Sequence, residues 1–143
     1  MQPGTSCAWP GRRMPLTVYL VGFMDRVQSA CRVAWSFGCE RVVLVDSIPA
    51  GKHHLHSARA LVIETAPALP TSPTGVLALE TNGVTTIADV DWRGFHSVVV
   101  GGSGVQLDVT RYPSARIPER PPCLIGDQAL AIALYERQQA PCL

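Results

Sequence analysis

The chain has 143 residues, 47% of them hydrophobic and 16% charged, with a net charge of +1 and a mean hydropathy of +0.17. That length suits one domain, and the apolar content is enough for a real core, which excludes a wholly disordered chain. The charge balance excludes a strongly polycationic surface while leaving room for local basic patches.

Residues 1–13 hold two prolines and two glycines and show no periodicity. They lack the apolar core of a secretory signal, so they read as a flexible leader, with Met14 a candidate natural start. The rest, 14–143, reads as a single domain. A β-rich run, Leu16 to Val21, opens the ordered part and stops at Gly22. Val27, Ala30, Cys31, Ala34 and Trp35 then recur at helical spacing and make one apolar stripe. Asp25 is placed to cap the start of this helix and Gly38 to end it. A second strand, Val42–Val45, follows, so the opening strand–helix–strand order predicts a parallel pair with a crossover helix.

Residues 51–60 read as a short helix and 60–63 as a short strand, and the three prolines of 66–73 make a loop. Strands return at Gly75–Glu80 and Ser97–Val100, the second running into Gly101-Gly102-Ser103-Gly104. A proline-rich turn carrying Pro113, Pro118, Pro121 and Pro122 precedes a final helix from about Asp127 to Gln138. The expected fold class is α/β, with a mainly parallel sheet flanked by helices. The longest aliphatic runs are strand-sized and far short of the ~18 residues of a membrane span, so a soluble protein without a membrane partner is expected.

Few residues offer chemistry. The five cysteines are odd in number, scattered and free of C-x-x-C, which points away from a disulfide scaffold and towards a reducing, cytoplasmic setting. The basic, acid-free leader leaves an organelle address open. Lys52, His53, His54 and His56 cluster without a carboxylate or cysteine at matching spacing, so no metal is expected and a solvated, RNA-facing loop is the better reading. Asp89 and Asp91 read as a solvated acidic turn, and Cys31 as core. The eleven arginines against one lysine fit either GC-rich coding or phosphate recognition. Gly101–Gly104 is not a P-loop, since no Gly-Lys-Ser/Thr follows. It is not a full G-x-G-x-x-G either, because the last position is Leu107. A sharp turn and an anion or cofactor cradle both remain open for it.

Three segments in order resemble the SPOUT superfamily of RNA methyltransferases, in its SpoU/TrmH-like 2′-O-ribose branch. Asp25 to Gly38 is similar to the motif N-x-G-x-x-x-R followed by a helix ending in Phe-Gly; Arg32, Phe37 and Gly38 match, while Arg26 and Gln28 replace Asn and Gly. Val98 to Leu107 is similar to a strand followed by G-P-E-G-x-G-L, with Gly101, Gly104 and Leu107 matching and Ser103 in place of Glu. Ile117-Pro118 and then Cys123 to Glu136 resemble I-P, S-L-N-V and an alanine-rich helix ending in A-L-Y-E. There Cys123 and Ile125 replace Ser and Asn.

The resemblance covers about residues 16–138 and implies an α/β-knot, in which the C-terminal segments thread as a trefoil, a rarity among folds. It implies S-adenosylmethionine as cofactor, held by Gly101, Ile117, Cys123 and Leu124. It also implies a homodimer that completes the site, and a structured tRNA or rRNA as substrate of 2′-O-ribose methylation. Arg32 takes the catalytic position; arginine rarely gives up its proton, so positioning phosphate and stabilising charge is the role expected of it. Arg26, Lys52 and His53 are the expected RNA contacts. The replacements at Arg26, Ser103 and Ile125 imply the alternative, a catalytically inactive SPOUT-fold RNA-binding or assembly protein.

Overall fold

Alternation of side chains explains the centre of the molecule. Val18 and Leu20, Leu77 and Leu79, and Val98 and Val100 point to one face of a sheet, where they join the main core; Val76, Ala78 and Val99 point to the other. The computed structural model describes residues 15–49, 61–108, 110–119 and 124–140. The leader, the segment 51–60 and Cys123 lie outside the described residues, as do Lys52 and His53.

The elements are β1 (Thr17–Val21), α1 (Val27–Ser36), β2 (Arg41–Val45), β3 (Val62–Thr65), β4 (Val76–Leu79), β5 (Thr85–Thr86), β6 (Ser97–Gly101), β7 (Ser114–Arg116) and α2 (Gly126–Gln139). Among the described residues, seven strands form one sheet in the order β3-β2-β1-β6-β4-β7-β5. Every pairing is parallel, and strands buried on both faces read as near-continuous Val/Leu runs. From β1 the chain first builds outward through β2 and β3, then returns to the other side of β1 with β6, so strand order reverses between β1 and β6. Such a reversal leaves a crevice at the carboxyl ends of the strands.

Helix α1 buries Val27, Ala30, Cys31 and Ala34 of the expected stripe and leaves its fifth member, Trp35, half-buried, and α2 buries Leu130, Ala133 and Leu134 in the same core. Gly38 ends α1 as expected: at φ +81° it lets its own amide reach the Trp35 carbonyl and the Cys39 amide reach that of Ala34, both at 3.0 Å. The start of α1 differs from expectation. Arg26, not Asp25, is the N-cap, in a left-handed conformation (φ 62°, ψ 19°) and with no capping side chain. The chain reaches it from a turn fixed by Ser47 Oγ, which accepts from the Phe23 amide at 2.9 Å.

The third strand forms two residues later than expected, at Val62–Thr65. The proline-rich turn also holds a strand. Ser114–Arg116 is short, with the single apolar residue Ala115 and no run to announce it, yet it pairs with both β4 and β5. Asp89 and Asp91 sit in two short 3-10 turns, where Asp91 caps the second turn and pairs with Arg93 at 2.8 Å.

Candidate cofactor cavity

A cavity of ≈410 Å³ opens over the carboxyl ends of β4, β6 and β7. Leu79, Val100, Ala115, Ile117, Leu124 and Ala129 give it apolar walls. The loop after β6, from Gly102 to Gln106, and the first turn of α2 close it. The size and the mixture of apolar wall with a few polar groups are those of a small-molecule site.

Glycine makes the wall possible. A Cβ on Gly102 would lie 2.5 Å from the Gly22 carbonyl oxygen, and one on Gly126 would lie 2.6 Å from that of Gly101 and 2.5 Å from the Phe23 ring. Backbone therefore meets backbone where α2 begins against the glycine loop, and any larger residue would push them apart. The loop is pinned at its near end by the Gly102 amide on the Val21 carbonyl (2.8 Å) and turns through Val105 N on Gly102 O (3.0 Å).

Two carboxylates line the cavity that sequence reasoning did not single out, and they are the charged groups among its described lining residues. Glu80, directly after β4, accepts from the Thr81 amide at 3.0 Å and the Thr81 hydroxyl at 3.3 Å through one oxygen. Through the other it accepts from the Leu107 amide at 2.9 Å. Glu119 Oε1 accepts from the Leu124 amide at 2.9 Å, across the approach to α2. Local sequence signal for either is confined to one charge at the end of a buried run and one inside a proline-rich stretch.

The expected site residues divide sharply. Gly101, Ile117 and Leu124 line the cavity, as does Ile125. Arg32 is exposed on α1 and is not among the lining residues. Arg26 spans to the other side of the α2 start. Its Nε and Nη2 meet Asp127 Oδ1 and Oδ2 at 2.8 and 2.7 Å, and Ser29 Oγ adds a third bond at 2.6 Å. Asp127 is 3% exposed. The Arg26 bonds hold its carboxyl below the usual 3.8, helped by Ser29 and opposed by burial. Among the described residues, no group of three His, Cys, Asp or Glu side chains is arranged for a metal ion, and no helix is long and apolar enough to cross a membrane.

No family model matches the chain, and no curated protein matches it in sequence. Solved structures do match it in fold. The SpoU methyltransferase AviRb from Streptomyces viridochromogenes superposes with a TM-score of 0.75 at 16% identity, over 87% of this chain and 59% of that one. An AdoMet-bound rRNA methyltransferase from Sinorhizobium meliloti gives 0.67 at 19% identity, over 87% and 56%. A protein from work on the 2-OH methylation of C/U34 on tRNA gives 0.66 at 19% identity, over 87% and 94%. The chain thus has the fold of SpoU/TrmH-type RNA methyltransferases, and it spans a little under 60% of AviRb's length.

Proposed function

We propose that this chain, built on the SpoU/TrmH fold, is an S-adenosylmethionine-dependent RNA methyltransferase acting on the ribose 2′-hydroxyl of a structured tRNA or rRNA. The observation that carries the reading is the cavity over β4, β6 and β7, walled by the glycine loop and the start of α2. AdoMet occupancy of a structure that shares this fold supports the ligand. So does the fit: aliphatic walls for a purine, backbone brought close by glycine, and a volume within the range of nucleoside-sized ligands.

Bound there, S-adenosylmethionine supplies a methyl group already activated by its sulfonium. The protein's task is then to hold the acceptor oxygen in line while its hydroxyl proton passes to solvent, and to stabilise the negative charge that this leaves on the oxygen. Gly101 and the loop behind it form the cradle, while Ile117 and Leu124 exclude water from its apolar side; Cys123, outside the described residues, is assigned to the cofactor on the motif resemblance alone. Arg32 lies exposed on α1 and is not among the residues that line this chain's own cavity, and we assign it to the substrate phosphate and acceptor oxygen at the cavity of a second subunit. A homodimer follows from that assignment. Lys52, His53 and the exposed part of Arg26 are assigned to RNA. A C-terminal third threaded as a trefoil knot, which the motif resemblance implies, and a cytoplasmic setting belong to the same proposal.

Calorimetric titration of the folded protein with S-adenosylmethionine, followed by transfer of labelled methyl to tRNA and rRNA transcripts, tests the reading. Saturable binding and label on ribose 2′-oxygen are expected. The absence of cofactor binding overturns it in favour of a non-catalytic RNA-binding protein. A specific observation favours that second reading: Ile125, apolar, occupies the cavity wall where the resembled motif carries asparagine, and Ser103 lines it where that motif carries glutamate.

A further inference from the structure

The glycine loop has two anchors of different kinds. Near β6 it is tied backbone to backbone, by Gly102 N on Val21 O. At its far end the Leu107 amide is held by a side chain, the Glu80 carboxylate, 27 residues back in the chain. The same carboxylate takes the Thr81 amide and hydroxyl, while the Glu80 amide donates to the Ala115 carbonyl at 3.0 Å. One residue therefore joins three walls of a single cavity: its side chain ties the end of β4 to the glycine loop, and its backbone amide ties it to β7. A hydrogen bond to an ionised carboxylate is about twice as strong as a neutral one. The Leu107 side chain packs separately, against the core formed by Val76, Ala78, Val99 and Tyr112 on the opposite sheet face. Loss of the Glu80 bond would therefore free the loop between Gly102 and Leu107 without removing the Leu107 side chain from its core.

We propose that Glu80 is a positioning residue for the cofactor: by holding the Leu107 amide against Thr81 it fixes the glycine loop in the shape that receives the S-adenosyl ligand. This rests on the cofactor reading above. Glu80 acts through the loop, so its effect exists before any ligand arrives.

The test uses the full chain as wild type, Glu80→Ala and Glu80→Gln, titrated with S-adenosylhomocysteine, with hydrogen exchange at the Leu107 amide followed in the ligand-free proteins. Glu80→Ala is expected to weaken binding about tenfold and to speed Leu107 exchange about tenfold, the loss of one charge-assisted bond. Glu80→Gln keeps the length and one acceptor oxygen, and is expected to bind within about threefold of wild type. A folded Glu80→Ala protein that binds like wild type overturns the proposal, as does unchanged Leu107 exchange. Glu80→Leu, which keeps bulk but has no acceptor, stands in should the alanine variant not fold, and weaker binding and faster Leu107 exchange are expected of it too; unchanged exchange there overturns the proposal equally. If wild type itself fails to bind, the cofactor reading falls, whereas binding by wild type with no effect of Glu80 sinks this inference alone.

Discussion

Arg26 and Asp127, 101 residues apart in the chain, meet in a two-pronged ion pair that ties the first turn of α1 to the first turn of α2. The pair is asymmetric: the Arg26 side chain is 43% exposed and the Asp127 side chain 4%. Asp127 also lies where the α2 dipole favours a negative charge. Removing the arginine strands a buried carboxylate with Ser29 as the side-chain donor still bonded to it, whereas removing the carboxylate leaves an arginine that water can reach. Arg26→Met should therefore destabilise the fold more than Asp127→Asn. Replacing Asp127 with Ala is expected to cost about 1–3 kcal/mol in urea unfolding, the usual range for a lost buried hydrogen-bonding group. Equal losses for Arg26→Met and Asp127→Asn would refute the asymmetry.

The same pair sets part of the acid limb of stability. The Asp127 carboxyl is held below its ordinary 3.8 in the folded chain. Its contribution is thus fully present above that ordinary value and is lost as pH falls below it towards the folded value. Glu64 beside Arg41, Asp91 beside Arg93 and Asp108 beside Thr110 shift in the same direction, at exposed positions where solvent screens the effect. Stability measured from pH 6 down to pH 2 should fall below about pH 4, and Asp127→Asn should flatten that fall more than Glu64→Gln does. Identical acid limbs in the two variants would contradict the assignment.

Cys31 lies on the buried stripe of α1 with no exposed surface, and burial pushes its thiol up to about 11. Cys39, at the end of the same helix, is buried as well. The reactive form is the thiolate, so both should resist a thiol reagent at pH 8 in the native protein and react on unfolding. Mass-spectrometric mapping of the label checks this, and labelling of Cys31 under native conditions would deny it the core position. Because the folded value lies above the ordinary 9.0, Cys31 also contributes stability that is whole below pH 9 and fades as pH rises towards 11.

What could be read from the chain itself depended on distance along it. The Val/Leu runs of β1, β2, β4 and β6, the apolar stripe of α1 and the closing role of Gly38 are local patterns, and all stand where the pattern puts them. The cavity was legible through Gly101, Ile117 and Leu124, which the motif resemblance had grouped. Strands β5 and β7 were not legible, because two or three residues, with Ala115 alone apolar among them, carry no period and exist only by pairing with β4 and each other. Gly83 is the hidden condition for that pairing, since a Cβ there would lie 2.4 Å from the Ala115 backbone. Arg26 as N-cap, Glu80 as the tether of Leu107 and Asp127 as the partner of Arg26 are likewise contacts made across 27 to 101 residues. Propensity at Asp25 lost to one such contact, for the left-handed turn at Arg26 is where the chain starts the helix whose side chains meet α2.

Two substitutions separate binding from turnover. A Cβ on Gly101 would sit 3.2 Å from both Val105 Cγ1 and the Val105 carbonyl oxygen, tighter than ordinary contact. Gly101→Val must therefore push the loop into the cavity or away from it. It should abolish S-adenosylhomocysteine binding while leaving RNA affinity, governed by phosphate contacts and falling steeply with salt, within about twofold. Arg32, exposed on α1 and not a wall of the cavity, predicts the opposite profile. Arg32→Ala should keep cofactor affinity and stability near wild type and reduce methyl transfer by at least about a hundredfold, the scale of losing one transition-state charge partner. Because the proposed site draws Arg32 from one subunit and the cavity from the other, mixing inactive Gly101→Val and inactive Arg32→Ala proteins should restore part of the activity in the mixed dimers. Failure of that mixture to recover any turnover, with each variant folded and dimeric, would place Arg32 and Gly101 in one subunit's site or remove Arg32 from the reaction.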